Sequence, residues 1–412
     1  MKKTKSRNAA LWFAALAALT LMGDGDAHAA RRKVGKKWVK SAKTAPIKPI
    51  TSKPSPAPAP PAPGFFETLS TQASSHFTRD LEIGTQFGRS FEGQKNSPAL
   101  LYIVPKFSTQ FEFGSTTPGV ITLTSSLRAS AAQYTGSHEL LASPRELHIA
   151  YEQGHVKLQL GYQQVSWGET FGVQIADVVN PRDYSDPLIT EVGWIKEPVA
   201  MANAQMFFSP VTLQFIATPL PRSGKSVTLP GLQGLAETRP GGIEWGGKAN
   251  ILFDFGLDLA AIYYNHWNRD VFLPAVEKIQ TAGITASQSA GSFVFRADSV
   301  FSTHSRWQTI LGSDLTTEDQ WTLGAQAHHD RSGTQWTHAV SFKIAKKIAE
   351  GLLEPEIFLF QGLNRESTWV QTSVTWNLSD HLSALLRVDT LSGSDSPLSQ
   401  LDRALLWMTY RF

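Results

Sequence analysis

Apolar and polar residues alternate along most of this chain from residue 81 onward. Trp336, His338, Val340, Phe342 and Ile344 fall on one side of a run whose other side carries Gln335, Thr337, Ser341 and Lys343. Val156, Leu158, Leu160 and Tyr162 oppose His155, Lys157, Gln159 and Gln163, and Leu382, Ala384, Leu386 and Val388 oppose Ser383, Arg387 and Asp389. Phe293 and Phe295 oppose Arg296 and Asp298. A strand turns successive side chains to opposite faces, so this period of two predicts strands with one apolar face. Up to eighteen windows can be traced, beginning near Leu81, Leu100, Val120, Glu146, His155, Ala200, Val211, Ile243, Gly256, Lys278, Gly291, Arg306, Gln320, Thr334, Leu353, Ser367, Leu382 and Arg403. Heptads and internal sequence repeats are absent. Short turns at Glu152–His155, Ser209–Pro210, Asp254–Gly256, Ser289–Gly291 and Ser379–His381 alternate with longer connections at 131–145, 167–199, 219–242, 266–277 and 392–402. Alternating loop length is what a membrane barrel shows, with short turns on one side and long loops on the other. The expected fold is all-β: a closed antiparallel transmembrane β-barrel of 16–18 strands, with 18 favoured, over residues 81–412.

The two ends of the chain bear on this reading. In the last ten residues, RALLWMTYRF, Ala404, Leu406, Met408, Tyr410 and Phe412 share one face, and Arg403, Leu405, Trp407, Thr409 and Arg411 the other. A terminal aromatic strand is a liability at the edge of a soluble sandwich, whereas a closed barrel has no edge. The pattern resembles the C-terminal signal of bacterial outer-membrane barrels. That resemblance makes Met408, Tyr410 and Phe412 an assembly signal for the outer-membrane barrel-assembly machinery. At the other end, Lys2, Lys3, Lys5 and Arg7 precede an apolar run from Ala9 to Met22, and Ala27-His28-Ala29 supplies a small-x-small cleavage pattern. These three regions predict a secretory signal peptide over residues 1–29. No other segment approaches the ~18 consecutive apolar residues of a membrane helix.

Composition divides the chain beyond residue 29 into two unlike parts. Residues 30–64 hold nine Lys or Arg, no Asp or Glu, and eight prolines. Such a segment cannot bury a core, and it predicts a disordered, partly polyproline periplasmic linker. Its cations suit peptidoglycan or anionic lipid as partners, and a plain spacer fits the composition equally. Phe66, Leu69, Ala73 and Phe77 recur at helical spacing, which fits a short helix over 65–80 or a continuation of the linker. Residues 65–412 keep 25 basic and 33 acidic residues, so the overall charge of +3 belongs to the N-terminal segments. A net acidic folded part disfavours nucleic acid as a partner. The chain has no cysteine, which excludes disulfides and Cys-ligated metals. Ten of twelve tryptophans lie at or beyond Trp167, many at strand ends, as interfacial girdles require.

The sequence offers little that reads as catalysis. Ser223-Gly224-Lys225-Ser226 lacks the first glycine of a phosphate loop, and no Gly-x-Ser-x-Gly elbow occurs. His328 and His329 are adjacent and so point to opposite faces of a strand. His338 is expected to face lipid or the rim. His138, His266 and His304 sit near loop ends with no evident Ser, Asp or Asn partner. No cofactor or metal is expected, and the protein is expected not to be an enzyme. The inward charges are more informative. Glu146, Lys157, Arg296, Asp298, Lys343, Arg387 and Asp389 should face the lumen, where a wet channel or local pairing makes charge tolerable. Arg296 with Asp298, and Arg387 with Asp389, stand two apart on one face and are expected to pair locally. Lys157 and Lys343 are expected to line the path of solutes.

Residues 145–222 carry one further pattern. A strand ends at Gln164, Trp167 and Gly168, and a loop comes next with Gly172, Asp177, Asn180, Pro181, Asp183 and Pro198. This resembles a widespread, poorly characterised family of Gram-negative outer-membrane, porin-like barrel proteins that pair Trp-Gly with Asp-x-x-Asn-Pro-x-Asp. The resemblance covers about half of the barrel, and the basic Pro-rich linker departs from it. It implies movement of hydrophobic or aromatic compounds or of exported polymers, without naming a substrate. Pro181 restrains its own backbone and that of Asn180. Asp177, Asn180 and Asp183 offer oxygens that cap turns or hold a hard cation, although the spacing is not that of an EF-hand. Trp167 is expected at the outer rim. Together these residues make a constriction loop. The expected function is an outer-membrane channel for small solutes working by passive diffusion, with both termini in the periplasm and lipid around the wall. The alternatives are a non-conducting structural barrel that anchors the envelope through its linker, and an outer-leaflet enzyme.

Overall fold

The alternation resolves into strands between Phe77 and Arg411. A computed structural model describes residues 77–90, 99–113, 119–134, 137–183, 195–222, 224, 241–268, 277–303, 305–364, 367–393 and 402–412. The chain divides into units Met1–Ala62 and Pro63–Phe412, and every described residue belongs to the second. The expected signal peptide, the linker, and Phe66, Leu69 and Ala73 lie outside the described residues.

The strands are β1 (Phe77–Ser90), β2 (Ala99–Phe113), β3 (Gly119–Tyr134), β4 (Ser137–Gln153), β5 (Val156–Gln163), β6 (Val199–Phe208), β7 (Val211–Thr218), β8 (Glu244–Leu252) and β9 (Leu257–Trp267). They continue with β10 (Lys278–Ala290), β11 (Phe293–Ser302), β12 (Arg306–Thr316), β13 (Trp321–Ser332), β14 (Gln335–Lys346), β15 (Leu353–Gly362), β16 (Thr368–Asn377), β17 (Leu382–Ser392) and β18 (Arg403–Arg411). Each pairs antiparallel with the next, for example β13 with β14 from Trp321↔Lys346 to Ser332↔Gln335. The last strand returns to the first, β18 on β1, from Glu82↔Arg411 to Ser90↔Arg403. The sheet is therefore a closed ring of 18 strands, and every strand is paired on both sides.

The two faces of the wall differ as the period of two requires. Phe87, Leu101, Phe107, Leu160, Phe215, Phe295, Phe301, Leu311, Phe342 and Leu386 stand exposed on the outside. So large an apolar surface suits lipid and would drive aggregation in water. Leu406, Met408, Tyr410 and Phe412 continue this outer band on β18 and its end. Trp307, Trp336, His329 and His338 group on the outer face near the long-loop rim, with the two His Nδ1 atoms 3.2 Å apart and Arg331 4.8 Å above the Trp336 ring.

Two boundaries depart from the sequence reading. β4 begins at Ser137, so residues 131–145 are the arms of the β3–β4 hairpin and not a long connection. The register shifts opposite Ser126 and Leu127, whose partners are Glu146 and Pro144, so Arg145 is an extra residue on β4 and breaks the alternation on which the reading relied. β1 begins at Phe77, so the helical spacing expected through that residue does not extend to it.

The wall is uneven in height. β2, β3 and β4 run for 15, 16 and 17 residues, whereas β5, β6, β7 and β8 have 8, 10, 8 and 9. The connection 164–198 leaves and re-enters the wall at this low sector.

Candidate functional site

The connection turns inward because its polar groups are satisfied there. Asn180 accepts a hydrogen bond from Val165 N at 2.7 Å and donates through Nδ2 to Gln163 O at 3.0 Å and Glu197 O at 2.8 Å. One buried amide thus ties the outgoing and returning arms together. Pro181 sets the direction of the next segment, and Glu197 N donates to Pro181 O at 2.8 Å while Asp183 N donates to Ile195 O at 2.7 Å. These bonds make a short antiparallel ribbon, and Glu197 also meets Arg128 of β3 at 3.4 Å.

Asp177 organises the turn around Trp167. Its Oδ1 accepts from Trp167 N at 2.5 Å and from Gly168 N at 3.0 Å, and its Oδ2 lies 2.5 Å from Lys196 Nζ. Lys196 also bonds the Ser166 hydroxyl. Burial pushes the Lys196 ammonium below its usual range, and Asp177 pulls it back up. Trp167 is not at the outer rim as expected. It is 1% exposed inside the barrel, donating from Nε1 to Gln214 Oε1 at 2.8 Å and packing edge-on against Tyr264 with centroids 5.6 Å apart. The strand pairing of β5 stops at Gln163, and the latch around Asp177 and Asn180 swings the indole inward. There Ala176, Val179, Val199, Met201, Ile216, Ile262 and Val300 enclose it. Gly246 makes room for the neighbouring Tyr264, since a Cβ at that glycine would lie 2.6 Å from the ring and 2.1 Å from Tyr263 O.

Beyond Trp167 the chain crosses the lumen. Lys248 of β8 donates to Trp167 O at 3.2 Å and lies 3.7 Å from the Glu169 carboxylate. Burial raises the Glu169 carboxyl above its ordinary value, against the opposing pull of Lys248. On β11, Asp298 is fully buried and accepts from Glu169 N at 3.1 Å, Thr170 N at 3.2 Å and Thr170 Oγ1 at 2.7 Å. The Phe171 ring then reaches Gly324 of β13, where a Cβ would come within 2.8 Å of it. A Cβ on Gly172, whose φ is +68°, would stand 3.8 Å from the Phe358 ring of β15. The loop therefore touches β7 and β15, which stand nearly opposite each other in a ring of 18 strands.

The lumen charges are paired, not always as expected. Arg296 does not pair with Asp298; it meets Asp314 of β12 at 2.8 Å and donates to Glu169 O at 3.4 Å. A neighbouring strand offers a carboxylate nearer than the residue two along, and the loop takes Asp298. Arg387 does meet Asp389, at 3.2 Å, and Arg403 shares that carboxylate at 3.3 Å. Glu146 pairs with Lys106 at 2.7 Å, Lys157 with Glu152 at 3.5 Å, and Lys343 with Glu356 at 2.7 Å. His266 stands near a loop end as expected, and the structure supplies it with partners. It lies buried in β9, with Nε2 3.0 Å from Thr281 Oγ1 and Nδ1 2.8 Å from Trp267 O. Gln214, Tyr264, Lys248, Lys196 and Glu169 were not singled out in the sequence. Gly246, Gly283 and Gly324, glycines inside strands, carried a signal of close approach.

No protein-family model matches the chain, and no curated protein matches it in sequence. Solved structures match it in fold. The outer membrane protein OpdK of Pseudomonas aeruginosa, solved with vanillate, is 10% identical, with 82% of this chain and 99% of that one covered and a TM-score of 0.58. OccK3 (OpdO) of the same organism is 8% identical, with 84% and 98% covered and a TM-score of 0.58. OccAB4 of Acinetobacter baumannii is 7% identical, with 82% and 97% covered and a TM-score of 0.55. The fold is thus that of porin-like outer-membrane barrels. At these identities the likeness is one of architecture alone.

Proposed function

We propose that the protein is an outer-membrane channel that passes small solutes by passive diffusion through its lumen. The observation that carries this reading is the segment from Trp167 to Gly172, held inside a closed wall between β7 and β15. Barrels of 16–18 strands are wide enough for an aqueous path, and an inward loop narrows one. That OpdK was solved with vanillate supports a small organic solute for this architecture. The family resemblance favours hydrophobic or aromatic compounds among such solutes. In this reading Trp167, Gly168, Asp177, Asn180, Pro181 and Asp183 form the latch that sets the width, and the paired lumen charges stiffen the wall.

The short turns, the start of β1 and the end of β18 share one rim, which is then the periplasmic one. The nine cations of residues 30–64 suit peptidoglycan or anionic lipid as a periplasmic partner, and Met408, Tyr410 and Phe412 serve as the assembly signal. No step of this function needs a catalytic group.

Planar-bilayer recording of the full chain tests it. Steady ohmic steps are expected, larger when residues 170–195 are deleted. A folded, heat-modifiable barrel that inserts and stays silent would overturn the channel.

A further inference from the structure

A shelf of amides lies under the loop on the short-turn side. Gln159 and Gln163 of β5, Asn203 and Gln205 of β6, Gln214 of β7 and Gln164 line a cavity of about 310 Å³. It adjoins a second of about 780 Å³ that shares Ser166, Gln205 and Gln214 and continues past Phe207 toward the mouth. Both volumes lie in the range of small-ligand sites, ~300–1,000 Å³.

The amides hold one another in place. Asn203 Nδ2 donates to Gln163 Oε1 at 3.2 Å and Gln159 Oε1 at 3.3 Å, and Gln214 Nε2 donates to Asn203 Oδ1 at 3.0 Å. Trp167 fixes Gln214 from above at 2.8 Å. This network leaves the Gln159 Nε2 donors and the whole Gln205 amide without a protein partner among the described residues. Phe207 follows Gln205 on the same face and is 37% exposed.

The charges at the shelf are matched or acidic. Lys106 takes Glu146, and Glu169 takes Lys248. Asp258 is met at 2.6 Å by the Asn250 amide and not by a cation, and Asp254 stands at the turn. A carboxylate solute therefore finds no free cation at this shelf among the described residues and faces repulsion. A neutral solute with many hydroxyls finds its complement, because each hydroxyl donates and accepts and a primary amide offers both. A flat aromatic beside the amides suits the C–H face of a sugar ring.

We propose that this shelf binds neutral, polyhydroxylated solutes of mono- to trisaccharide size on their way through the lumen. The proposal rests on the channel reading for its role in transport, and the binding site stands apart from that reading. The test titrates maltotriose, and separately benzoate, against the full chain in planar bilayers and, by intrinsic tryptophan fluorescence, in detergent. Maltotriose is expected to reduce the current in a saturable way and benzoate to do so at least tenfold more weakly. The double variant Gln159→Ala with Gln205→Ala, and separately Phe207→Ala, should raise the half-blocking concentration at least fivefold, with heat-modifiable mobility showing that each barrel is folded. Open steps that ignore maltotriose, stronger block by benzoate, or variants that block like the parent would each overturn the site. Silent barrels that still bind maltotriose in detergent would sink the channel and keep the site. Silent barrels that bind none would sink both.

Discussion

Removing the Asp298 carboxylate should release the middle of the loop while leaving its base in place. In the parent this group accepts three hydrogen bonds, from Thr170 Oγ1 at 2.7 Å, Glu169 N at 3.1 Å and Thr170 N at 3.2 Å. A single hydrogen bond to a charged group contributes about 1.5–3 kcal/mol net of its exchange with water. Three bonds to one carboxylate do not add in full, and lumen water takes up the donors once the loop leaves. A docking contribution of about 2–4 kcal/mol for residues 168–172 follows. At ~1.4 kcal/mol per factor of ten, Asp298→Ala shifts the docking equilibrium by roughly 30- to 700-fold. A loop undocked on the order of 1% of the time would then be undocked for much or most of it, which is a large shift in population. Trp167 keeps its apolar enclosure and its bond to Gln214, so only the crossing segment swings. Single-channel recording should show larger, noisier steps that flicker between two levels, with Asp298→Asn intermediate because it keeps an acceptor for Thr170. The reasoning fails if Asp298→Ala matches the parent in step size and noise while deletion of 170–195 enlarges the steps.

Glu169 gives the same loop a pH dependence. Its carboxyl is raised in the docked loop, chiefly by burial and also by Asp258 and Asp298, while Lys248 and Arg296 oppose. A group raised on docking favours the docked state below its free value, and that contribution is lost as pH rises through the raised one. Conductance should therefore fall as neutral solution is acidified toward the carboxylate range, and Glu169→Gln should flatten the profile. Asp389→Ala strips Arg387 and Arg403 of the carboxylate they share at 3.2 and 3.3 Å, and should destabilise the barrel by about 3–5 kcal/mol, read as a lower denaturant midpoint. Gly246→Ala places a Cβ 2.1 Å from Tyr263 O, a backbone atom that yields little, and should lower the heat-modification temperature through about 1–3 kcal/mol of overpacking.

The wall was legible in the sequence because lipid on one side and a wet lumen on the other enforce a strict period of two. Of the eighteen expected strand starts, sixteen lie within two residues of the observed ones; β1 begins four residues early and β4 nine. The β4 miss falls at the Ser126/Leu127 bulge, where one extra residue inverts the pattern. The loop was legible only in part. Asp177, Asn180 and Pro181 announced a tight turn through their own chemistry, but nothing local says that Trp167 turns inward. That depends on Gln214 and Tyr264, 47 and 97 residues further along, and on apolar residues lying on lumen-facing positions of β6, β7, β9 and β11. Sequence distance hides such a cluster. So does its direction, because inward apolar residues read as breaks in a lumen-facing polar pattern. Leu100, Tyr102, Leu405 and Trp407 make a second inward cluster of this kind, with Trp407 Nε1 donating to Tyr102 OH at 3.0 Å.

Those inward apolar residues explain how a loop can hold a fixed position inside a wet barrel. Neutral hydrogen bonds alone would exchange with lumen water at only a modest net gain. At Trp167 the loop first buries an indole against the wall, which excludes water. The bonds from Trp167 N, Gly168 N and Lys196 to Asp177 then form where water cannot easily compete. The segment from Glu169 to Gly172 has no such cluster. It is held to β11 by Asp298 and reaches β13 through a single ring at Gly324. A rigid base and a crossing held by polar contacts are what a constriction needs if its width is to respond to charge and pH without the barrel unfolding. Strengthening the crossing by apolar substitution, for instance Thr170→Val, would remove the 2.7 Å bond to Asp298 and leave that buried carboxylate with fewer donors. The crossing should then loosen rather than tighten; in the proposed channel that puts the adjustable part of the pore at the polar contact and its fixed part at Trp167.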